Sequence, residues 1–288
     1  MSHVFASDDS ATARPSGRRD AFYWRFAGTA VSFAAFGIGA LLLSLIVLPL
    51  LRLWPTQQCR HMSRWVLQAG MRTFIGIMRG LGVLTCDFRG VERLGRPGQL
   101  IVANHPTLID AVFLIAYTPQ AVCVAKHAMF RNPLTRSVVM AAGYISNEQA
   151  AGMIEGASAA LVEGQCLIMF PEGTRTRVDS ALVFHRGAAN VAVRAARQVT
   201  PVYIRCTPIT LTKAEPWYRI PRRRPHFSLV TGEDFCLEAY RAMGSIPLGS
   251  RAFNEHMRSN FQGELQRLDG YTAAGADGNT GDEPALTG

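Results

Sequence analysis

The chain has 288 residues, 48% hydrophobic and 18% charged, with 30 Lys+Arg against 21 Asp+Glu for a net charge of +9. That balance excludes a disordered protein, and 26 glycines and 15 prolines are too few for a fibrous repeat. The length allows one catalytic-size domain with appendages, and the basic surface is arginine, since Lys126 and Lys213 are the only lysines.

Residues 1–24 carry Arg14, Arg18 and Arg19 and are expected to be a disordered basic N-terminus, with residues 25–82 forming a membrane-embedding segment. The 26 residues from Phe26 to Leu51 hold no charge, and as one helix they would extend roughly 39 Å, longer than a hydrocarbon core is thick. The run is too long and begins too late for a signal peptide. Gly37, Gly39 and Pro49 predict a bend or break within it. Arginines flank it on both sides, which leaves a span and a hairpin or monotopic embedding both open. Residues 56–80 then alternate apolar side chains with Arg60, Arg64 and Arg72, an amphipathic pattern that places these arginines at the membrane interface; packing on the rest of the protein is the alternative.

From Gly82 short apolar runs alternate with helical ones, the signature of an α/β domain, here a mixed sheet flanked by helices over residues 83–268. Strands are predicted at 83–89, 98–103, 120–125, 143–146, 165–170, 200–206 and 226–231, and helices at 107–117, 132–141, 148–163, 186–198 and 248–267. The helix at 148–163 has Asn147 as its N-cap candidate and Gly164 as its stop. Residues 269–288 are small, acidic and poor in large apolar side chains, and read as a disordered tail. The six cysteines stand apart with no Cys-x-x-Cys pair and read as free thiols of a reducing compartment.

Two junctions carry chemistry. The strand Leu100–Ala103 runs into Asn104-His105-Pro106-Thr107-Leu108-Ile109-Asp110, an HX4D spacing in which Pro106 suits the first turn of a helix and His105 the strand-to-helix turn. A carboxylate at Asp110 folded back on the ring could hold Nδ1–H and leave Nε2 as a base. Alone, one His and one Asp five apart read more readily as a structural pair. The second strand, Cys166–Phe170, runs into Pro171-Glu172-Gly173-Thr174-Arg175, a carboxylate, a glycine turn and a guanidinium at a strand's carboxyl end, where α/β sheets bind ligands. Arg175 suits a bidentate phosphate contact, and Glu172 could order the loop or the acceptor.

These two motifs, in this order and about 65 residues apart, resemble the glycerolipid acyltransferase family, over roughly residues 83–230. The resemblance implies His105 as general base, Asp110 as its partner, and an acceptor site including Asn104, Glu172, Gly173, Thr174, Arg175, Lys126 and Arg186. It also matches Phe184-His185-Arg186-Gly187 and Thr200-Pro201-Val202-Tyr203-Ile204. It implies a membrane enzyme, at the cytoplasmic face of the inner membrane, that needs no metal or cofactor and moves an acyl group from acyl-CoA or acyl carrier protein to a lysophospholipid such as 1-acylglycerol-3-phosphate. The family often has an arginine shortly after the glycine between the motifs, where this chain reads Gly143-Tyr144-Ile145-Ser146-Asn147-Glu148. The stretch from His105 to Asn147 is similar, more loosely, to relatives that acylate aryl-polyene or amino-acid lipids. Lastly, Arg222, Arg223 and Arg224 beside Trp217 and Tyr218 are read as an anchor for anionic headgroups, with docking of an acidic acyl carrier protein or a plain solvated loop as alternatives. No recognition module for nucleic acid accompanies the charge. Two rival functions stay in view: a hydrolase holding a metal on His105, Asp110 and Glu172, and a lipid-binding protein without catalysis.

Overall fold

The computed structural model describes residues 21–51, 53, 55–175, 182–213 and 215–277. Seven strands form one mixed sheet: β1 (Thr85–Arg89), β2 (Gln99–Ala103), β3 (Val122–Ala125), β4 (Ile145–Ser146), β5 (Leu167–Met169), β6 (Gln198–Thr207) and β7 (His226–Thr231). Their order across the sheet is β1-β7-β6-β2-β5-β3-β4, parallel throughout except for the β6–β7 pair. Each predicted strand is present. Leu100–Ala103 of β2 and Leu167–Met169 of β5 are continuous apolar runs because both faces of the sheet are covered. Along β2 the side chains alternate, Ile101 and Ala103 toward one core, Leu100 and Val102 toward the other.

The first core packs two helices on the sheet: α2 (Thr56–Gly80), through Phe74, Ile75 and Met78, and α3 (Asp110–Tyr117), through Phe113 and Leu114. The opposite core is covered by α6 (Ala150–Val162), α7 (Arg186–Ala195) and α9 (Ile246–Asp277), with Leu161, Val191 and Phe261 among its buried side chains. Between β3 and α6 come α4 (His127–Arg131) and α5 (Pro133–Ala141), and α8 (Glu238–Arg241) precedes α9.

Ahead of the sheet, α1 runs without a break from Phe22 to Leu51, long and apolar enough to cross a membrane; 17% of its apolar window is buried within the protein. The expected bend at Pro49 takes the form of a π-helical stretch, Leu43–Val47. Proline has no N–H to give the carbonyl four residues back, and the wider turn absorbs the mismatch. At one end of α1, Trp24 Nε1 donates to Leu81 O at 2.9 Å, and a Cβ on Gly28 would stand 3.0 Å from Val83. At the other, Leu48 and Leu51 pack on Cys59 and Ala141. Thus α1 is fastened at both ends to the rest of the protein.

Several expectations are corrected. Helix α1 begins at Phe22, inside the stretch expected to be disordered, while residues 1–20 lie outside the described residues. Helix α9 runs on to Asp277 through the first part of the expected tail; residues 278–288 are outside the description. Asn147 does not cap α6, because its Oδ1 accepts from His127 N–H at 3.0 Å, whereas Gly164, at φ +81°, does end that helix. Helix α3 begins at Asp110, so Pro106 lies in the turn before it. Arg64, expected at the membrane interface, is 7% exposed and turned inward, donating to Ala142 O at 2.8 Å and Gln165 Oε1 at 2.9 Å. Arg72 is exposed but bonds Ala116 O at 2.7 Å, capping a free carbonyl in the last turn of α3. Arg60 is exposed.

Candidate active site

Strands β2 and β5 are hydrogen-bonded neighbours, with Val102 opposite Met169, so both junction loops leave the same edge of the sheet side by side. That pairing is why two motifs distant in sequence meet in space. His105 leaves β2 and Asp110 opens α3, where a carboxylate also faces the positive end of the helix. His105 Nδ1 lies 2.8 Å from Asp110 Oδ2. The same oxygen accepts from Thr107 N–H at 2.6 Å, and Asp110 Oδ1 accepts from the Thr107 hydroxyl at 2.5 Å. Asp110 is fully buried while the His105 side chain is 18% exposed, so the ring alone reaches the surface of the site. Burial pushes the Asp110 carboxyl up from its ordinary value, and the bonds from His105 and Thr107 pull against it. Phe170 stacks on the imidazole with centroids 4.3 Å apart.

Glu172 meets the histidine from the neighbouring loop: its Oε1 accepts from His105 N–H at 2.8 Å. It is 5% exposed and orders the His105 turn; it does not line the cavity beside it. Asn104 is likewise a fold residue, its amide donating to Ile204 O and accepting from Ile204 N–H, each at 2.8 Å. Gly173 sits at φ +65°, a left-handed turn that brings the chain against His185, whose Cδ2 would be 3.3 Å from an added Cβ. Arg175 Nη1 donates to Leu211 O at 3.0 Å and Thr212 O at 2.8 Å, which ties this loop to the segment after β6.

His105 opens on a cavity of about 570 Å³. Its apolar walls come from Phe33 and Phe36 of α1, Met71 and Phe74 of α2, and Val112 and Ile115 of α3. Its polar lining includes Lys126, Asn147, Thr174, Arg175 and His185, and among the described residues it includes no carboxylate. Arg186 is exposed and is not part of the lining, although its neighbours His185 and Gly187 are. Among the described residues no three His, Cys, Asp or Glu side chains converge to hold a metal ion, and Asp110 already spends both oxygens on protein donors.

The acyltransferase family pattern matches residues 86–205, spanning both motifs. The 1-acyl-sn-glycerol-3-phosphate acyltransferase of Borreliella burgdorferi is 29% identical over 139 residues, 46% of this chain and 56% of that protein. The protein of the same description from Helicobacter pylori is 30% identical over 113 residues, 37% of this chain and 48% of that one. Through this segment the chain is similar to the acyltransferase family. It spans about half the length of these curated relatives. The crystal structure of the 1-acyl-sn-glycerophosphate (LPA) acyltransferase PlsC from Thermotoga maritima has the same fold, with a TM-score of 0.59 at 17% identity, covering 84% of this chain and 98% of that one. At this site the residues to which the sequence assigned no role are those that support the dyad or wall the cavity: Thr107, Phe170, Tyr144, His185, Phe33 and Phe36. His185 was in view only as part of the Phe184–Gly187 turn. The aromatic positions carried no signal that separated them from ordinary core.

Proposed function

We propose that this protein transfers a fatty acyl group from a thioester donor, acyl-CoA or acyl carrier protein, to the hydroxyl of a lysophospholipid such as 1-acylglycerol-3-phosphate. The observation that carries the reading is His105, fixed through Nδ1 by a buried carboxylate, at the wall of a large cavity whose other walls are mostly apolar. His105 Nε2 takes the proton of the acceptor hydroxyl as its oxygen attacks the thioester carbonyl. The C–S bond then breaks, and the imidazolium returns the proton to the departing thiolate. General-base help of this kind contributes about 10²–10⁴-fold, and holding donor and acceptor together adds to it. Asp110 keeps the ring in its tautomer and stabilises the imidazolium. Glu172, Gly173 and Asn104 set the turn; Lys126 and Arg175, in a lining that among the described residues holds no carboxylate, suit an acceptor with an anionic headgroup. Residues 83–268 are the proposed catalytic unit, held by α1 and α2 at the cytoplasmic face of the membrane, where thioester donors are found.

One observation favours a second acceptor class. Where the family often carries an arginine, the cavity has Asn147, and Glu148 is paired with His127 at 3.1 Å. A hydroxylated specialised lipid, such as an aryl-polyene or amino-acid lipid, would suit that neutral position. The deciding experiment incubates the purified protein with labelled acyl-CoA or acyl carrier protein and a panel of lysophospholipids and hydroxylated lipids, and identifies the product by mass. His105→Ala is expected to lose about 10²–10⁴-fold in turnover with vesicle binding intact. Retained turnover would remove the proposed base, transfer only to water would make the protein a hydrolase, and transfer to no acceptor would make it a lipid-binding protein.

A further inference from the structure

The loop between β6 and β7 carries Arg222, Arg223 and Arg224, all exposed, and among the described residues no carboxylate pairs with them. Its backbone is held in an unusual way. Arg25, in the first turn of α1, is 3% exposed and aims its guanidinium at three consecutive carbonyls: Nη1 lies 3.0 Å from Pro221 O and 3.4 Å from Arg223 O, and Nη2 lies 2.6 Å from Arg222 O. Charged donors on neutral carbonyls make strong bonds when shielded from water. With its carbonyls gathered inward on one cation, the loop keeps its three arginine side chains in solvent. Trp217, from the same loop, packs on Phe33 of α1 with centroids 5.5 Å apart, a second tie between loop and helix.

The surroundings identify what this cationic edge faces. Tyr23 and Trp24, immediately before the clamping Arg25 in sequence, are 86% and 61% exposed, and Trp217 and Tyr218 are 41% and 56% exposed. Beyond them α1 exposes Phe26, Val31, Ile38 and Leu41. Arginines, then amphipathic aromatics, then a continuous apolar surface is the sequence of chemistries met on passing from headgroups into lipid. An acidic protein partner would match the charge but not the adjoining apolar helix. We propose that the Trp217–Arg224 loop, clamped by Arg25 to α1, is a docking site for the anionic headgroups of a phospholipid bilayer, and that it makes the protein prefer anionic to zwitterionic membranes.

The main test is sedimentation with vesicles of phosphatidylcholine, with and without phosphatidylglycerol, a readout that needs no acyl transfer; transfer from acyl carrier protein is a second arm. The wild-type protein is expected to bind the anionic vesicles more tightly and to lose that advantage near ~1 M salt, where screening acts within about 3 Å. Replacing Arg222, Arg223 and Arg224 together by Gln is expected to weaken binding to anionic vesicles about 10²-fold while leaving binding to pure phosphatidylcholine, carried by α1, unchanged. Arg25→Lys keeps every exposed charge but cannot reach three carbonyls; it is expected to lose most of the anionic preference as well. A triple variant that binds anionic vesicles like wild type overturns the proposal. So does a triple variant whose vesicle binding is intact but whose transfer from acyl carrier protein fails, which would make the loop a protein-docking site. An Arg25→Lys protein with full anionic preference overturns the role of the clamp.

Discussion

Asp110→Asn separates the charge of the buried carboxylate from its geometry. In the wild type one oxygen, Oδ2, takes both Thr107 N–H and the His105 ring, while Oδ1 takes the Thr107 hydroxyl. An asparagine can enter in two orientations. With its NH2 group at the Oδ2 place it would point a donor at Thr107 N–H, which is also a donor, inside a fully buried site. The other orientation leaves the oxygen facing Thr107 N–H and His105 and turns the NH2 toward the Thr107 hydroxyl, which can rotate to accept. Thr107 N–H therefore selects the amide orientation that preserves the histidine tautomer. What is lost is the charge that stabilises the imidazolium, a charge-assisted bond worth about 1.5–3 kcal/mol, or about 10- to 10²-fold in turnover. A tautomer error would instead cost about 10⁴-fold. The assay is kcat/KM of the purified variant beside His105→Ala. A loss as large as that of His105→Ala refutes the orientation argument, and full activity refutes any role for the charge. Stability gives an independent check with a definite sign. Burial raises the folded-state pKa of Asp110 above its unfolded value of about 3.9. The stabilising contribution of the protonated group is thus complete below that value and is lost as pH rises through the folded pKa. Above it the wild type carries a buried charge that asparagine does not, so thermal melts are expected to favour Asp110→Asn increasingly as pH rises from about 3.9 through the folded pKa, and to change no further beyond it.

Three other substitutions or reagents probe the rest of the site. Glu172→Gln keeps an acceptor for His105 N–H and is expected to stay within about tenfold of wild type with the acceptor KM unchanged, whereas Glu172→Ala strands that N–H at about 1–3 kcal/mol and lowers kcat; a raised acceptor KM in Glu172→Gln with kcat preserved would assign Glu172 to substrate instead. Gly173→Ala forces a side chain into the left-handed region beside His185 and is expected to cost about 1–2 kcal/mol in a denaturation midpoint, with a matching fall in turnover; an unchanged midpoint would mean the turn relaxes freely. Cys123, Cys166 and Cys206 have thiols pushed up to about 12 by burial, so at pH 8 about 10⁻⁴ of each is thiolate, and mass spectrometry after brief alkylation is expected to find exposed Cys236 modified first. Early labelling of Cys123, which lines the cavity, would show that water enters more deeply than its burial implies.

The strands were legible because the sheet is covered on both faces, which makes Leu100–Ala103 of β2 and Leu167–Met169 of β5 uninterrupted apolar runs. The one-turn helices α4 and α8 were not, since four or five residues hold too little periodicity to register. The boundary between α7 and β6 was misplaced for a related reason. Residues 186–198 read as one helix, but Gln198 and Val199 pair with Gln99 and Leu100, and the sheet takes them. Within the site, His105, Asp110 and Arg175 announce themselves by chemistry and spacing. The work of Glu172 and Asn104 was hidden because their partners, His105 N–H and the Ile204 backbone, lie 67 and 100 residues away. Arg64 shows the limit of amphipathic reading. An arginine on a polar stripe can snorkel outward or, like Arg64, fold under to bond Ala142 O and Gln165 Oε1, and helical period alone does not separate the two.

The membrane segment and the site are not separate modules. Phe33 and Phe36, both on α1, line the cavity that His105 faces, and both rings also pack on Phe74 of α2. Removing α1 would therefore open a wall of the cavity to water as well as detach the protein from lipid. Water at that wall would compete with the acceptor hydroxyl for the thioester and weaken the apolar burial that holds an acyl chain. The same helix, through Arg25, fixes the loop at the far side of Trp217, and Leu108, two residues before Asp110, donates from its backbone N–H to Leu211 O at 3.0 Å. The chain of contacts from lipid-facing helix to β6–β7 segment to catalytic turn is continuous. On the proposed function, the depth of α1 in a bilayer would set where the imidazole meets its acceptor, which makes anchoring part of substrate positioning.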